Sequence, residues 1–165
     1  MPDMDQRQDA KEPAPAGVVV AVCISAGGVP KRSVDTAEVT SDGLVGDGHD
    51  HEKHRRPDRA VLIQDLELIE ELAAEGYVVG PGIMGENITV RGVNVQRLAV
   101  GDRLRFQEGM VVELASVRKP CYVLDAIHPD LKDAVVGRCG FLCRVVEPGV
   151  LSAGQRVIVE RHDPR

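Results

Sequence analysis

Arg103-Leu104-Arg105-Phe106-Gln107-Glu108-Gly109-Met110-Val111-Val112-Glu113-Leu114-Ala115-Ser116-Val117 reads as two strands, Arg103–Gln107 and Met110–Val117, joined across Glu108-Gly109 as a hairpin. Upstream, Val18–Ser25 (VVVAVCIS) is a β-branched run stopped by Ala26-Gly27-Gly28. Val34–Val39 alternates only weakly, which fits a short strand with one partly buried face. Ala60–Ile63 is a short apolar run leading into a helix over Gln64–Glu75. There Leu66, Ile69, Leu72 and Ala73 recur at helical spacing, and Gly76 stands at the C-terminal cap position. Ile88–Arg91 is a further strand. Phe141–Glu147 and Arg156–Glu160 make two more around a Pro148-Gly149 turn. A second, short helix is expected over Pro129–Val136, ended by Gly137. Many short strands with two helices make the chain α+β and β-rich, a barrel or a sandwich, with no internal repeat.

Composition bounds the function. The 165 residues (17.8 kDa) fit one domain, expected over 17–162, preceded by a polar, Pro-containing tail over 1–16. Aromatic residues make up 2% and Trp is absent, so the core must be built from Val, Leu, Ile and Ala. A base-stacking nucleic-acid surface is thereby disfavoured. The net charge of −6 and pI near 5.4 also argue against a general nucleic-acid or anionic-membrane partner. Four Cys do not make a disulfide scaffold in a chain of this size, and no segment has the length of apolar sequence that spans a bilayer. A reducing, cytoplasmic setting is expected, with the Cys as thiols.

Four stretches carry residues with chemistry. Arg118-Lys119-Pro120-Cys121 places a thiol in a loop at a strand end, directly after two cations. Positive charge favours thiolate, the form that attacks sulfur or carbonyl centres and binds soft metals such as Mo, Cu or Zn. The plain alternative is a small buried apolar residue. Gly46–Arg56 holds His49, His51 and His54 beside acids, which suggests Zn or a similar ion, or simply a solvated loop; no CxxC or HExxH spacing supports it. Lys53, Arg55, Arg56 and Arg59 against Asp58 leave its end at +3, suited to an anionic ligand such as a phosphate.

Gly82–Val90 joins a Gly-rich turn to a strand, where backbone amides and the Asn87 side chain could hold a polar heterocycle. Cys139 and Cys143, four apart, would share a strand face roughly 13 Å from each other, too far for a disulfide or one ion. They read as core, as does Cys23. His128, before Pro129, reads as a helix-entry residue rather than as a partner of Cys121.

In order and spacing these motifs resemble the MOSC family, named after the C-terminal domain of molybdenum cofactor sulfurases. The residues that carry the resemblance begin with Gly43-Leu44-Val45-Gly46-Asp47-Gly48-His49, Arg59-Ala60-Val61-Leu62-Ile63 and Gly82-Ile83-Met84-Gly85-Glu86-Asn87-Ile88-Thr89-Val90. Leu98-Ala99-Val100-Gly101-Asp102-Arg103-Leu104, Pro120-Cys121, Gly137-Arg138-Cys139-Gly140 and Val150-Leu151-Ser152-Ala153-Gly154-Gln155 complete them, over about residues 18 to 160. Gly154-Gln155 stands where the family usually has Gly-Asp.

The resemblance implies a mixed β-barrel similar to the barrel domain of pyruvate kinase, with short helices. It also implies a site around Cys121, which matches the cysteine that binds molybdenum of the pterin cofactor in relatives, or carries sulfur as a persulfide in sulfurase-type ones. Asn87 falls near the pterin by the same likeness. Arg59, Arg118, Lys119 and His49 are the other expected cofactor contacts, assigned on charge more than on motif.

A molybdenum-cofactor protein is therefore expected, as a sulfur carrier or as a Mo-dependent reductase of N-hydroxylated compounds. The chain has no Fe–S or flavin motif, so a reductase implies an external electron-donor protein and a carrier implies a cysteine desulfurase. The competing expectation is a non-catalytic metal-binding or interaction barrel using His49, His51 and His54.

Overall fold

The computed structural model describes residues 17–48 and 57–163. The proposed tail, His49, His51 and His54, and the basic run Lys53–Arg56 lie outside them.

The described residues form eleven strands, β1 (Gly17–Ile24), β2 (Arg32–Val34), β3 (Thr36–Thr40), β4 (Gly43–Leu44), β5 (Val61–Asp65), β6 (Ile88–Arg91), β7 (Arg103–Phe106), β8 (Val111–Val117), β9 (Phe141–Glu147), β10 (Gly149–Ser152) and β11 (Arg156–Glu160). Two helices, α1 (Leu66–Ala74) and α2 (Leu131–Ala134), join short 3-10 turns at Pro57–Arg59, Val95–Arg97 and Tyr122–Ala126.

Seven strands close a barrel in the order β1-β6-β5-β9-β8-β7-β11, with β11 returning to β1 through Gly17↔Val157 and Val18↔Arg156. Of the two architectures the strand count allows, the barrel is the one that forms. Closure removes the open edges that a flat sheet of this size would expose. All pairs are antiparallel except β5 with β6, so the barrel is mixed. Parallel neighbours need a crossover, and α1 supplies it. The anticipated hairpin is β7–β8, with Arg105 opposite Val111 and Gly109 turning at φ +105°. A three-stranded sheet, β10-β3-β4, packs Ala37, Val39, Leu44 and Leu151 into the barrel core.

Two cores result. The larger fills the barrel with Val, Ile and Leu plus Phe106 and Phe141, as the aromatic-poor composition requires. The smaller gathers Ile69 and Leu72 of α1, Met84, Leu124, and Leu131 and Val135 beside Cys139.

Several boundaries differ from the sequence expectation. Val34–Val39 is broken between β2 and β3 at Asp35, and β2 pairs with β1 while β3 pairs with β10. Gln64 and Asp65 end β5 instead of starting α1. Asp65 accepts bonds from the backbone N–H groups of Val95 (2.8 Å) and Gln96 (3.0 Å), which fixes it at the strand end. The Pro129–Val136 helix is helical only over Leu131–Ala134. His128 Nδ1 accepts the Asp130 N–H at 3.0 Å and its ring meets Tyr77 edge-on, so it acts at the helix entry.

Candidate functional site

One cavity of about 530 Å³ opens where the barrel meets the smaller core. Cys121, Asn87, Arg59, Arg118 and Lys119 all line it, although they come from three separate segments of the chain. Lys31 joins them, and no acidic side chain stands among the described lining residues.

Cys121 is held from both sides. Its carbonyl accepts the Leu124 N–H at 3.1 Å, starting the 3-10 turn whose Leu124 is fully buried in the smaller core. Upstream, the Arg118 N–H donates to the Gly140 carbonyl at 2.9 Å, which fastens the β8 end of the loop to the turn before β9. Gly140 itself has φ +89°, and a Cβ there would stand 2.2 Å from the Ile63 carbonyl oxygen, so only glycine lets the turn sit against β5.

Burial separates the four thiols. Cys23, Cys139 and Cys143 are buried, whereas Cys121 is half-buried at the cavity. Burial pushes the Cys23 thiol up to about 11, with Glu86 adding to the effect and Lys31 opposing it. Cys143 is raised by burial alone. Cys139 is raised first by burial, with the nearby Arg118 guanidinium pulling it back and Cys121 and Glu86 adding to the rise. Cys139 precedes β9 and belongs to the smaller core, while Cys143 lies on β9 in the barrel core. The shared strand face expected for them does not form, but both are core residues.

Asn87 lines the cavity and is also bonded on both sides of its amide. Its side-chain oxygen accepts the Leu62 N–H (3.1 Å), and its amide nitrogen donates to the Cys23 carbonyl (3.2 Å) and to Asp47 Oδ2 (3.0 Å). Both donors are engaged, so Asn87 braces β1 and β5 against the Asp47 loop and leaves only a spare oxygen lone pair for a ligand. The expected backbone cradle at Gly82–Asn87 is likewise closed. The N–H groups of Gly82, Ile83, Gly85 and Asn87 donate to Glu86 Oε1, the Gly80 and Gly82 carbonyls, and the Leu62 carbonyl.

Three charged residues at or behind the cavity were not singled out from the sequence. Asp47 carries a nearly buried carboxylate (2% exposed) that accepts from the Ser25 N–H at 3.0 Å, Asn87 and the Lys31 ammonium at 2.7 Å. Lys31 is buried to 12% exposure at the cavity wall. Glu86 is buried behind the loop, with Oε1 bonded to the Gly82 N–H and Thr89 hydroxyl and Oε2 without a partner. Burial raises its carboxyl above the ordinary range, against the pull of those donors and of Arg118. The one available signal was Gly46-Asp47-Gly48, where an acid between two glycines can reach across a tight approach of backbones. No group of three or more His, Cys, Asp or Glu suited to a metal occurs among the described residues.

A family model for the MOSC domain matches residues 50–158. The chain belongs to the MOSC domain family. As a MOSC protein it falls within a family associated with the molybdenum cofactor. Its sequence is 32% identical over 137 residues to the uncharacterized protein YflK of Bacillus subtilis, covering 77% of this chain and 60% of YflK. It is 24% identical to a protein named reductase from Gibberella moniliformis, over 76% of this chain and 24% of that one. The chain thus spans less than two thirds of either relative.

Among solved structures, YuaD of Bacillus subtilis superposes with a TM-score of 0.70 at 21% identity, covering 90% of this chain and 95% of that one. YiiM of Escherichia coli gives 0.71 at 27% identity, over 90% and 72%. The barrel is therefore the MOSC fold. No helix among the described residues is long and apolar enough to cross a membrane.

Proposed function

We propose that the cavity binds the anionic pterin cofactor of molybdenum, with the Cys121 sulfur directed to the metal. The observation that supports this reading is the convergence of one accessible thiol with Lys31, Arg59, Arg118 and Lys119 on a single cavity with no acid among its described lining residues. The donor set fits the group. A soft thiolate suits molybdenum, and ammonium and guanidinium groups suit a phosphate. A volume near 530 Å³ is ample for a ligand of cofactor size.

Bound there, molybdenum would supply two-electron oxygen-atom chemistry. Reduction of an N-hydroxyl group takes two electrons and two protons, breaks the N–O bond and releases water. The electrons would come from an external donor protein. The likeness to a protein named reductase supports this arm over sulfur carriage.

Wild type and Cys121→Ser, purified from molybdate-fed cells, test the reading by metal and pterin analysis. Molybdenum and pterin in wild type, with molybdenum lost in Cys121→Ser, is the expected result. Neither group in wild type sinks the proposal. A persulfide trapped on Cys121 after loading by a cysteine desulfurase, without bound molybdenum, would replace it with the carrier role.

A further inference from the structure

The four cations among the described lining residues are not equivalent. Arg59 and Lys119 are exposed, and Arg118 faces Glu86 and Cys139. Lys31 alone is both nearly buried and pinned: Asp47 Oδ2 takes one ammonium hydrogen at 2.7 Å, and no other protein acceptor lies on the Lys31 nitrogen among the described residues. An ammonium has three donors, so two remain for a ligand, on a side chain only 12% exposed at the cavity wall. Asp47 does not compete for them. Its charge is already shared among the Ser25 N–H, Asn87 and Lys31.

We propose that Lys31, held by Asp47, is the oxyanion seat of the cavity, taking a tetrahedral anion such as a phosphate monoester or a free oxyanion. The order of ordering costs favours it over the exposed cations. A side chain already fixed by an ion pair loses little freedom on binding, while Arg59 and Lys119 must be immobilised. Asp47 and Asn87 then act as positioning residues, through Lys31. The inference rests on the cavity binding an anion, as proposed above, but not on that anion carrying molybdenum.

Titration of the full chain with inorganic phosphate, and separately with molybdate, followed by calorimetry, reads the seat directly. Removing Lys31 alone would leave Asp47 charged and buried, so the informative variant is Lys31→Met with Asp47→Asn, accompanied by a thermal melt to show that it folds. Wild type is expected to bind phosphate and the double variant to bind at least about tenfold more weakly, as loss of a charge-assisted contact implies.

Binding within twofold in a folded double variant, or no phosphate binding by wild type, overturns the inference. Pterin analysis separates it from the cofactor reading. Phosphate bound through Lys31 in a protein that never acquires pterin keeps the seat and removes the cofactor. Undiminished pterin and molybdenum in the double variant keep the cofactor and remove the seat. Stronger binding of molybdate than phosphate, equally dependent on Lys31, would mark the free oxyanion as the ligand.

Discussion

Replacing Glu86 with Gln should make the protein more stable at neutral pH, and the gain should grow with pH. Two effects oppose each other at this carboxyl. Burial, the larger effect, favours the neutral form, while the Gly82 N–H, the backbone N–H of Glu86 itself, the Arg118 guanidinium and the Thr89 hydroxyl favour the charged one. The geometry decides for burial: the Gly82 and Thr89 hydrogen bonds converge on Oε1, and Oε2 has no partner, so half of any carboxylate charge would be unsolvated.

A carboxyl raised in the folded state above its ordinary 4.5 binds more protons folded than unfolded. Its contribution to stability is therefore complete below pH 4.5 and is lost as pH climbs to the folded value, where it levels off. One proton sets the slope at no more than about 1.4 kcal/mol per pH unit. Asp65 is also raised by burial and adds a slope of the same sign, so the comparison with Glu86→Gln is what isolates Glu86.

Urea denaturation of both proteins at pH 5, 6, 7 and 8 measures it. The two should nearly coincide at pH 5 and diverge upward, with the variant the more stable. Parallel curves, or a variant that becomes less stable as pH rises, would show an ionised Glu86 paired with Arg118 and refute the reasoning.

Three further outcomes follow from packing and exposure. Leu72→Ala removes a fully buried side chain of α1 from the smaller core and should cost about 2–5 kcal/mol in denaturant unfolding. A loss below about 1 kcal/mol would mean that this core repacks freely. Gly48→Ala would drive a Cβ to 1.8 Å from the Ala26 carbonyl oxygen, so the loop must shift at a cost of about 1–3 kcal/mol, and phosphate binding should weaken with it. Iodoacetamide on the native protein should leave one adduct, on Cys121, by mass spectrometry, because the other three cysteines are buried. Labelling of Cys23, Cys139 or Cys143 at a comparable rate would contradict the burial that sets Cys121 apart.

How far the sequence discloses the molecule depends on the range of the forces involved. The β7–β8 hairpin, β6, β9 and α1 were legible because alternation, helical spacing and turn glycines are local signals. Barrel closure has no local signal, since the Gly17↔Val157 pairing joins distant parts of the chain; the residue patterns left barrel and sandwich open, and it was the likeness to the MOSC family that pointed to the barrel. Strand β10 was hidden because Pro148-Gly149 reads as a turn, while the pairing of Leu151 with Ala37 makes the following residues a strand. Among site residues, Cys121 was legible from its cationic loop, and Arg59, Arg118 and Lys119 from charge. Lys31 and Asp47 were not, because each is unremarkable until the fold brings them to 2.7 Å.

Asn87 and Asp47 show how much of a residue's role at such a site is set by partners that the fold supplies. An Asn beside a Gly-rich turn offers two donors and an acceptor, and nothing local says who takes them. In the fold, β1 and β5 present a carbonyl and an N–H within its reach, and those partners are fixed before any ligand arrives. What remains of its amide turns to Asp47. That carboxylate can approach only because Gly48 has no Cβ and its N–H closes onto the Ser25 carbonyl at 2.7 Å. Asp47 thus adds side-chain bonds to a segment that backbone pairing with β3 and the Ser25 carbonyl already holds. Its consequence lies one contact further on, at Lys31, where a buried carboxylate turns an otherwise mobile ammonium into a fixed donor.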